Sequence, residues 1–147
     1  MKLKLCWIGK TKAAAVEALT AEFVKRLGRY LPTETQEFRT EAALLDWASR
    51  ERGRLALVML DARGRQMTSE ELAHLLRSHQ EAGVSLLAFA VGPADGWSDA
   101  ARHAGTLLLS LSRMTLAHEI ARVVLAEQLY RGFSILAGHP YHLGHSG

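Results

Sequence analysis

The chain of 147 residues has one cysteine, three prolines and no long hydrophobic run. A lone cysteine, Cys6, cannot form an internal disulfide, which excludes a disulfide scaffold and favours a reducing, cytoplasmic setting. No stretch approaches the roughly 20 apolar residues of a membrane span, and Lys2 and Lys4 interrupt the first apolar run, so we expect neither a signal peptide nor a membrane partner. With 48% hydrophobic and 22% charged residues, the composition predicts one globular domain over residues 1–147.

Signatures of several common enzyme classes are also missing. The chain has no G-x-x-x-x-G-K-[ST], which excludes a P-loop kinase or GTPase, and no G-x-G-x-x-G after the first predicted strand, which excludes a standard dinucleotide turn. G-x-S-x-G and H-E-x-x-H do not occur. Cys6 lies inside the first predicted strand beside Trp7, which is typical of a core thiol rather than a nucleophile.

Positive charge is concentrated near the start of the chain. The net charge is +3, but residues 1–30 carry seven Lys and Arg against only Glu17 and Glu22. A basic segment of this kind can lie along nucleic-acid phosphates, and Lys10, Lys12, Lys25 and Arg26 are the candidate contacts. A solvated helix face explains the same pattern, so charge alone decides nothing.

Hydrophobic periodicity predicts a regular alternation of strands and helices. The alternating residues 2–9 indicate a half-buried or edge strand, whereas the continuous apolar run 55–60 indicates a central parallel strand. Thr40, Thr68 and Ser98 stand where helices begin, and the Thr68 segment has capping-box spacing. The predicted strands are 2–9, 34–39, 55–60, 84–91 and 105–112, and the predicted helices start at 12, 40, 68, 98 and 117. This order predicts an α/β fold with a mostly parallel sheet flanked by helices.

Three polar loops follow the three most apolar strands. They are residues 61–67, 92–96 and 113–115. Ligands of such sheets bind beyond the carboxyl ends of the strands, so we place the candidate site there. The alternatives are purely structural roles: an ordinary turn at 92–96 and Thr115 as a helix N-cap.

The last predicted helix, residues 117–136, carries apolar residues on nearly every side. A helix that is apolar all round is buried all round. In a domain of this size a second copy of the chain is a natural cover, so we expect a homodimer built on this helix, the alternative being a central helix of one chain.

Three histidines in the tail, His139, His142 and His145, have the spacing H-x-x-H-x-x-H. A metal site needs ligands held rigidly, and these lie among glycines with no Asp, Glu or Cys nearby. We therefore expect no metal, and favour hydrogen bonding, base stacking or RNA contact by His139, Tyr141 and His142.

Taken in order, several motifs resemble one known family over essentially the whole chain. The motifs are MKLKL (1–5), GK (9–10), LD (60–61), VGPADG (91–96), LSLS (109–112), MTLAH (114–118), Arg122, AEQLYR (126–131) and HPYH (139–142). The chain is similar to the RlmH family, which are small ribosomal RNA methyltransferases of the SPOUT superfamily. Two departures are the loop at 91–96, where family members have Gly-Gly-Pro-Glu-Gly, and Leu143, where a tail arginine often follows.

The resemblance implies an α/β-knot fold, with a C-terminal trefoil knot over about residues 84–147. It also implies a homodimer that binds S-adenosyl-L-methionine and methylates N3 of a pseudouridine in 23S rRNA (pseudouridine 1915 in the usual numbering) on the assembled 70S ribosome. The cofactor contacts that carry over are Leu60, Gly92, Leu111, Ser112, Arg113, Met114, Thr115 and Leu116.

The chemistry of methylation suggests roles for a second group of residues. The N3 proton of a uracil-like ring is weakly acidic, so a base should assist its removal, with His142 the first candidate and His118 the second. Arg122 is the candidate for an imidate oxygen or a phosphate, and Tyr141 for stacking on a flipped base. The competing hypothesis is a non-catalytic RNA- or ribosome-binding relative with the same fold.

Overall fold

A computed structural model describes the backbone of residues 1–143 and the side chains of residues 1–141. Strands and helices alternate along it as the periodicity predicts. The elements are β1 (Lys2–Ile8), α1 (Ala14–Leu27), β2 (Thr33–Phe38), α2 (Glu41–Arg50), β3 (Leu55–Gln66), α3 (Ser69–Glu81), β4 (Leu86–Val91), α4 (Asp99–Arg102), β5 (Leu107–Ser110), α5 (His118–Ala137) and a 3-10 turn (Pro140–Leu143). None of the described helices is long and apolar enough to cross a membrane.

The five strands form one sheet in the order β2-β1-β4-β3-β5, and every pairing is parallel. Helices α1, α3 and α5 cover one face, where Leu5, Leu76 and Leu129 share a hydrophobic core. Helices α2 and α4 cover the other face around Leu44 and Met59. The α/β prediction is therefore confirmed. The trefoil knot and the extent of the domain, 1–147, stay predictions.

The local capping signals behave as expected. Thr68 accepts a hydrogen bond from the Glu71 N–H while the Glu71 carboxylate accepts one from the Thr68 N–H, which completes a capping box. Thr40 and Ser98 each cap their helices through the side-chain oxygen. These caps act within one turn, which explains why the sequence alone predicts them.

The prediction for β1 is wrong in one respect. β1 is neither half-buried nor at an edge, because it pairs with β2 on one side and β4 on the other and six of its seven residues are buried. Lys4 is tolerated inside because its ammonium lies 3.2 Å from a carboxylate oxygen of Glu34 on β2 and over the ring of Trp47. Lys4 can alternate with apolar residues in β1 because its charge is paired inside the protein, so the alternation does not indicate a solvent-exposed face.

The prediction that residues 61–67 form a loop needs a correction. β3 continues to Gln66, and after pairing Leu60 with Leu109 it returns to pair Arg65 with the same Leu109. The residues between bulge out of the ladder. Gly64 sits there so close to β5 that a Cβ on it would lie 2.6 Å from the Leu109 carbonyl carbon. This return is a long-range pairing, which local periodicity does not encode.

Helix α5 packs against α1 and α3 within one chain. Leu125, Leu129 and Phe133 are buried, whereas Ile120 in its first turn is 48% exposed. One chain therefore covers much of this helix and leaves part of its first turn open. The homodimer stays a prediction.

Candidate functional site

A cavity of about 330 Å³ lies at the carboxyl ends of β3, β4 and β5. It opens where the three polar loops meet, which is the location that the strand order predicts. Seven of the eight predicted cofactor contacts line it: Leu60, Gly92, Leu111, Ser112, Met114, Thr115 and Leu116. Arg113 is not in the lining and is exposed beside it. His118 is a further lining residue.

The cavity has apolar and polar walls. Leu60, Leu111 and Leu116 contribute apolar surface, and carboxylates of Asp61 and Asp95 stand on the polar side. A small-molecule site typically combines apolar walls with a few placed polar groups, and a volume of roughly 300–1,000 Å³ is usual. This cavity has that character.

Asp61 is held at the cavity edge by two donors. Its Oδ1 accepts from the Arg63 N–H at 2.8 Å, and its Oδ2 accepts from Nε of Arg102 at 2.9 Å. Burial raises the pKa of Asp61, but these two hydrogen bonds and the charge of Arg102 outweigh it, so the net pKa lies below its usual value. The carboxylate is therefore charged, with a fixed orientation.

The loop before α5 is ordered by its own side chains. Ser112 Oγ accepts from the Met114 N–H at 2.9 Å, and Ser110 Oγ donates to the Ser112 carbonyl at 2.9 Å. The N-cap position of α5 is Ala117, which has no capping side chain. Thr115 is therefore not the N-cap of α5, as the structural alternative required. It lines the cavity instead.

Trp97 was not predicted from the sequence, yet it closes one side of this region. Its indole Nε1 donates to the Leu60 carbonyl at 2.9 Å, and only 3% of the residue is exposed. The signal available in the sequence was a tryptophan directly after the loop at residues 92–96. Arg102 was also not predicted, because its partner Asp61 is 41 residues away in the sequence.

The predicted catalytic residues are not all brought together. Arg122 is fully buried, donates to the Ile8 carbonyl at 2.9 Å and to Oγ1 of Thr11 at 2.7 Å, and lies over the ring of Trp7. Burial lowers its pKa, although Glu119 and Glu37 act in the opposite direction. Arg122 is not in the cavity lining.

Tyr141 also lies outside the lining of this chain's cavity. Its hydroxyl donates to Oε2 of Glu127 at 2.8 Å, and its ring packs edge-on against Tyr130. Burial and the Glu127 carboxylate raise the pKa of Tyr141. The side chain of His142 and all of His145 lie outside the described residues, so the roles of both stay predictions.

Comparison with known proteins identifies the family. A family model described as "Predicted SPOUT methyltransferase" matches residues 1–142. A ribosomal RNA large subunit methyltransferase H from Koribacter versatilis (strain Ellin345) is 54% identical, covering 99% of this chain and 100% of the relative. The protein of the same name from Geobacter sp. (strain M21) is 46% identical, covering 97% and 99%. The chain therefore belongs to the SPOUT methyltransferases, within the RlmH family.

Proposed function

We propose that this chain transfers a methyl group from S-adenosyl-L-methionine to N3 of a pseudouridine in 23S rRNA, pseudouridine 1915 in the usual numbering. It would act in the cytoplasm, as a homodimer, on the assembled 70S ribosome. The observation that carries the proposal is the convergence of residues from three separate loops on one cavity at the carboxyl ends of the strands. The relatives are named as methyltransferases of large-subunit ribosomal RNA, which supports the same substrate class.

The chemistry of the cavity suits this cofactor. Adenine needs apolar cover, which Leu60, Leu111 and Leu116 offer. The sulfonium and ammonium groups are cationic and would be favoured near Asp95, because the Asp61 carboxylate is already paired with Arg102. When bound, the cofactor supplies an activated methyl group.

The residues of the chain then have to orient the acceptor and handle one proton. Holding N3 in line with the methyl group is the larger part of the task, because correct placement alone removes much of the barrier. His118, the second base candidate, lines the cavity, which supports a role for it there. His142 remains the alternative base on the tail, with Tyr141 as its neighbour.

Ribosomal RNA would approach a rim that carries positive charge. Arg63 lines the cavity and Arg113 is exposed beside it. Lys10, Lys12 and Lys25 are exposed on the cation-rich N-terminal part of the chain, outside the cavity lining. Arg26 is less available, since its Nε donates to Glu22 at 3.0 Å and its guanidinium covers the rings of Phe23 and Tyr130. Phosphate contacts of exposed lysines supply affinity but no sequence information.

Two measurements test the proposal in sequence. Calorimetric titration with S-adenosyl-L-methionine, with the mass checked by light scattering, should give binding to a dimer. Tritiated methyl transfer should then label 23S rRNA in ribosomes that lack the modification and leave modified ribosomes unlabelled. If an intact dimer binds no cofactor, the result would favour the competing hypothesis of a non-catalytic ribosome-binding relative. Labelling at another position of the RNA would overturn the assignment of the target nucleotide.

The choice of base is tested on the same assay. Single-turnover methylation at saturating ribosome should fall strongly in His142→Ala if the tail histidine accepts the proton, and in His118→Ala if the cavity histidine does. A variant with wild-type single-turnover rate excludes that residue as the base. His74→Ala, an exposed histidine on α3 outside the cavity lining, serves as the matched control.

A further inference from the structure

Trp97 links the ends of the two strands that form the cavity. Its indole N–H donates to the carbonyl of Leu60, the last residue of β3 before the bulge. Leu60 and Gly92, which directly follows β4, both line the cavity. The carbonyl of Leu60 is therefore aligned by the indole, while the leucine side chain remains available to the cavity.

The same indole lies against Gly92. A Cβ placed on Gly92 would be 2.9 Å from Cε2 of Trp97, which is closer than real Cβ atoms approach, and 3.0 Å from Nε1. No left-handed backbone is needed at Gly92, since its φ is not among the positive values. Glycine is thus required here because the indole occupies the space where a side chain would begin.

Trp97 is itself fixed from the far side. The next residue, Ser98, donates both its N–H, at 2.8 Å, and its hydroxyl to the carboxylate of Glu41 at the start of α2. One helical turn later, Arg102 bonds Asp61 at the cavity edge. Trp97 therefore directly precedes a short helix, α4, which is anchored to α2 through Ser98 and to β3 through Arg102.

We propose that Trp97 is a positioning residue for the methyl donor, which sets the separation between Leu60 and Gly92 across the cavity. This inference rests on the proposed function, because it takes the cavity to be the cofactor site. Trp97 would not touch the reacting atoms. It would act through the two residues that it holds.

Three variants test the proposal in the full-length protein. Trp97→Phe keeps a ring and removes the donor that orients the Leu60 carbonyl, so the displaced Leu60 should weaken S-adenosyl-L-methionine binding about fivefold. Its KM for the cofactor should rise by a similar factor, with kcat changed less. Gly92→Ala should weaken binding by roughly tenfold or more, because the methyl group meets the indole.

The pair of sites should also be coupled. In a Trp97→Leu background the space beside Gly92 is open, so adding Gly92→Ala should cost much less than it does in the wild type. A purely structural contact would show this coupling in thermal unfolding and leave the binding constant unchanged, whereas positioning predicts the coupling in the binding constant itself. The matched control is Trp47→Phe, which removes an indole that packs on Phe38 and Lys4 away from the cavity, and it should leave the binding constant unchanged.

The outcomes separate the two proposals. A wild-type chain that binds no S-adenosyl-L-methionine overturns the proposed function and the role of Trp97 with it. If the wild type binds S-adenosyl-L-methionine and Trp97→Phe binds it equally well, the role of Trp97 alone is overturned. Strictly additive losses of binding in the double variant would overturn it too. Thermal unfolding of each variant checks that it is folded at the assay temperature, and Gly92→Ala, which leaves the indole in place, serves if the Trp97 variants do not fold.

Discussion

Nε of Arg102 lies 2.9 Å from Oδ2 of Asp61, and these two side chains join the short helix α4 to the end of the apolar part of β3. Both are largely buried, with 18% and 8% of their side chains exposed. An ion pair with so little exposure is screened weakly by solvent. It holds the carboxylate at the cavity edge in one orientation.

We expect Asp61→Asn to lower stability at neutral pH, with an effect that fades in acid. The folded pKa of Asp61 is below its ordinary value of 3.8, so the unfolded chain takes up the proton first. The stabilisation is complete above pH 3.8 and is lost as pH falls through the folded pKa. Melting temperatures of wild type and variant should therefore converge below that pH, and an equal difference at pH 7 and pH 3 would contradict the assignment.

Glu119 caps a helix that is more than a hundred residues away in the sequence. Its carboxylate accepts from the N–H of Ala13 at 3.0 Å and of Lys12 at 3.1 Å, at the start of α1, where Ala13 has no capping side chain. Those hydrogen bonds lower the pKa of Glu119. Glu119→Gln has one acceptor oxygen for two donors, so its melting temperature should fall at pH 7 and match the wild type in acid.

The control for that change is Glu81→Gln on an exposed part of α3, which should leave the melting temperature unaltered. Equal shifts in the two variants would mean that loss of charge, and not loss of the cap, produces the effect. Hydrogen exchange of the first turn of α1 should increase in Glu119→Gln alone.

Arg122 should matter for folding before it matters for methyl transfer. A lysine at this position is a point charge and cannot reach both the Ile8 carbonyl and the Thr11 hydroxyl with the fixed geometry of a guanidinium. We expect Arg122→Lys to lower the free energy of unfolding by about 2 kcal/mol, measured by urea denaturation. Arg113→Lys on the exposed loop is the control. Unchanged stability together with lost methyl transfer would instead support the catalytic role inferred from the sequence.

The single cysteine should report on unfolding. Burial raises the pKa of the Cys6 thiol to about 12, with Lys4 opposing and Glu34 adding to the shift. The reactive thiolate is then almost absent at pH 8. Iodoacetamide should modify Cys6 only when the chain unfolds, at a rate that rises with urea through the unfolding transition. Rapid labelling of the native protein would contradict this.

Local signals in the sequence predicted much of the fold. Thr40, Thr68 and Ser98 begin helices because their side-chain oxygens accept hydrogen bonds from backbone N–H groups three residues ahead. The apolar run from Leu55 predicted an interior strand, and the order of strands and helices predicted where the cavity lies. Each of these signals acts within one turn or one strand.

The remaining features depend on contacts between distant residues. The indole of Trp97 meets Leu60 across 37 positions, and Arg122 meets Ile8 across 114. The return of Arg65 to Leu109 depends on how β5 lies beside β3. No periodicity of 2 or 3.6 residues contains such pairings.

The amino-acid sequence by itself determined the class of fold, the capped helix starts at Thr40, Thr68 and Ser98, and the end of the sheet where the site lies, because these follow from burial patterns and short-range hydrogen bonds. The tertiary structure decided which of the candidate residues line the cavity and which lie elsewhere. It placed Arg122 in the interior, packed Tyr141 against Tyr130, and set Trp97 beneath Gly92. The physical reason is that side-chain partners are chosen by three-dimensional packing, which brings together groups far apart in the chain.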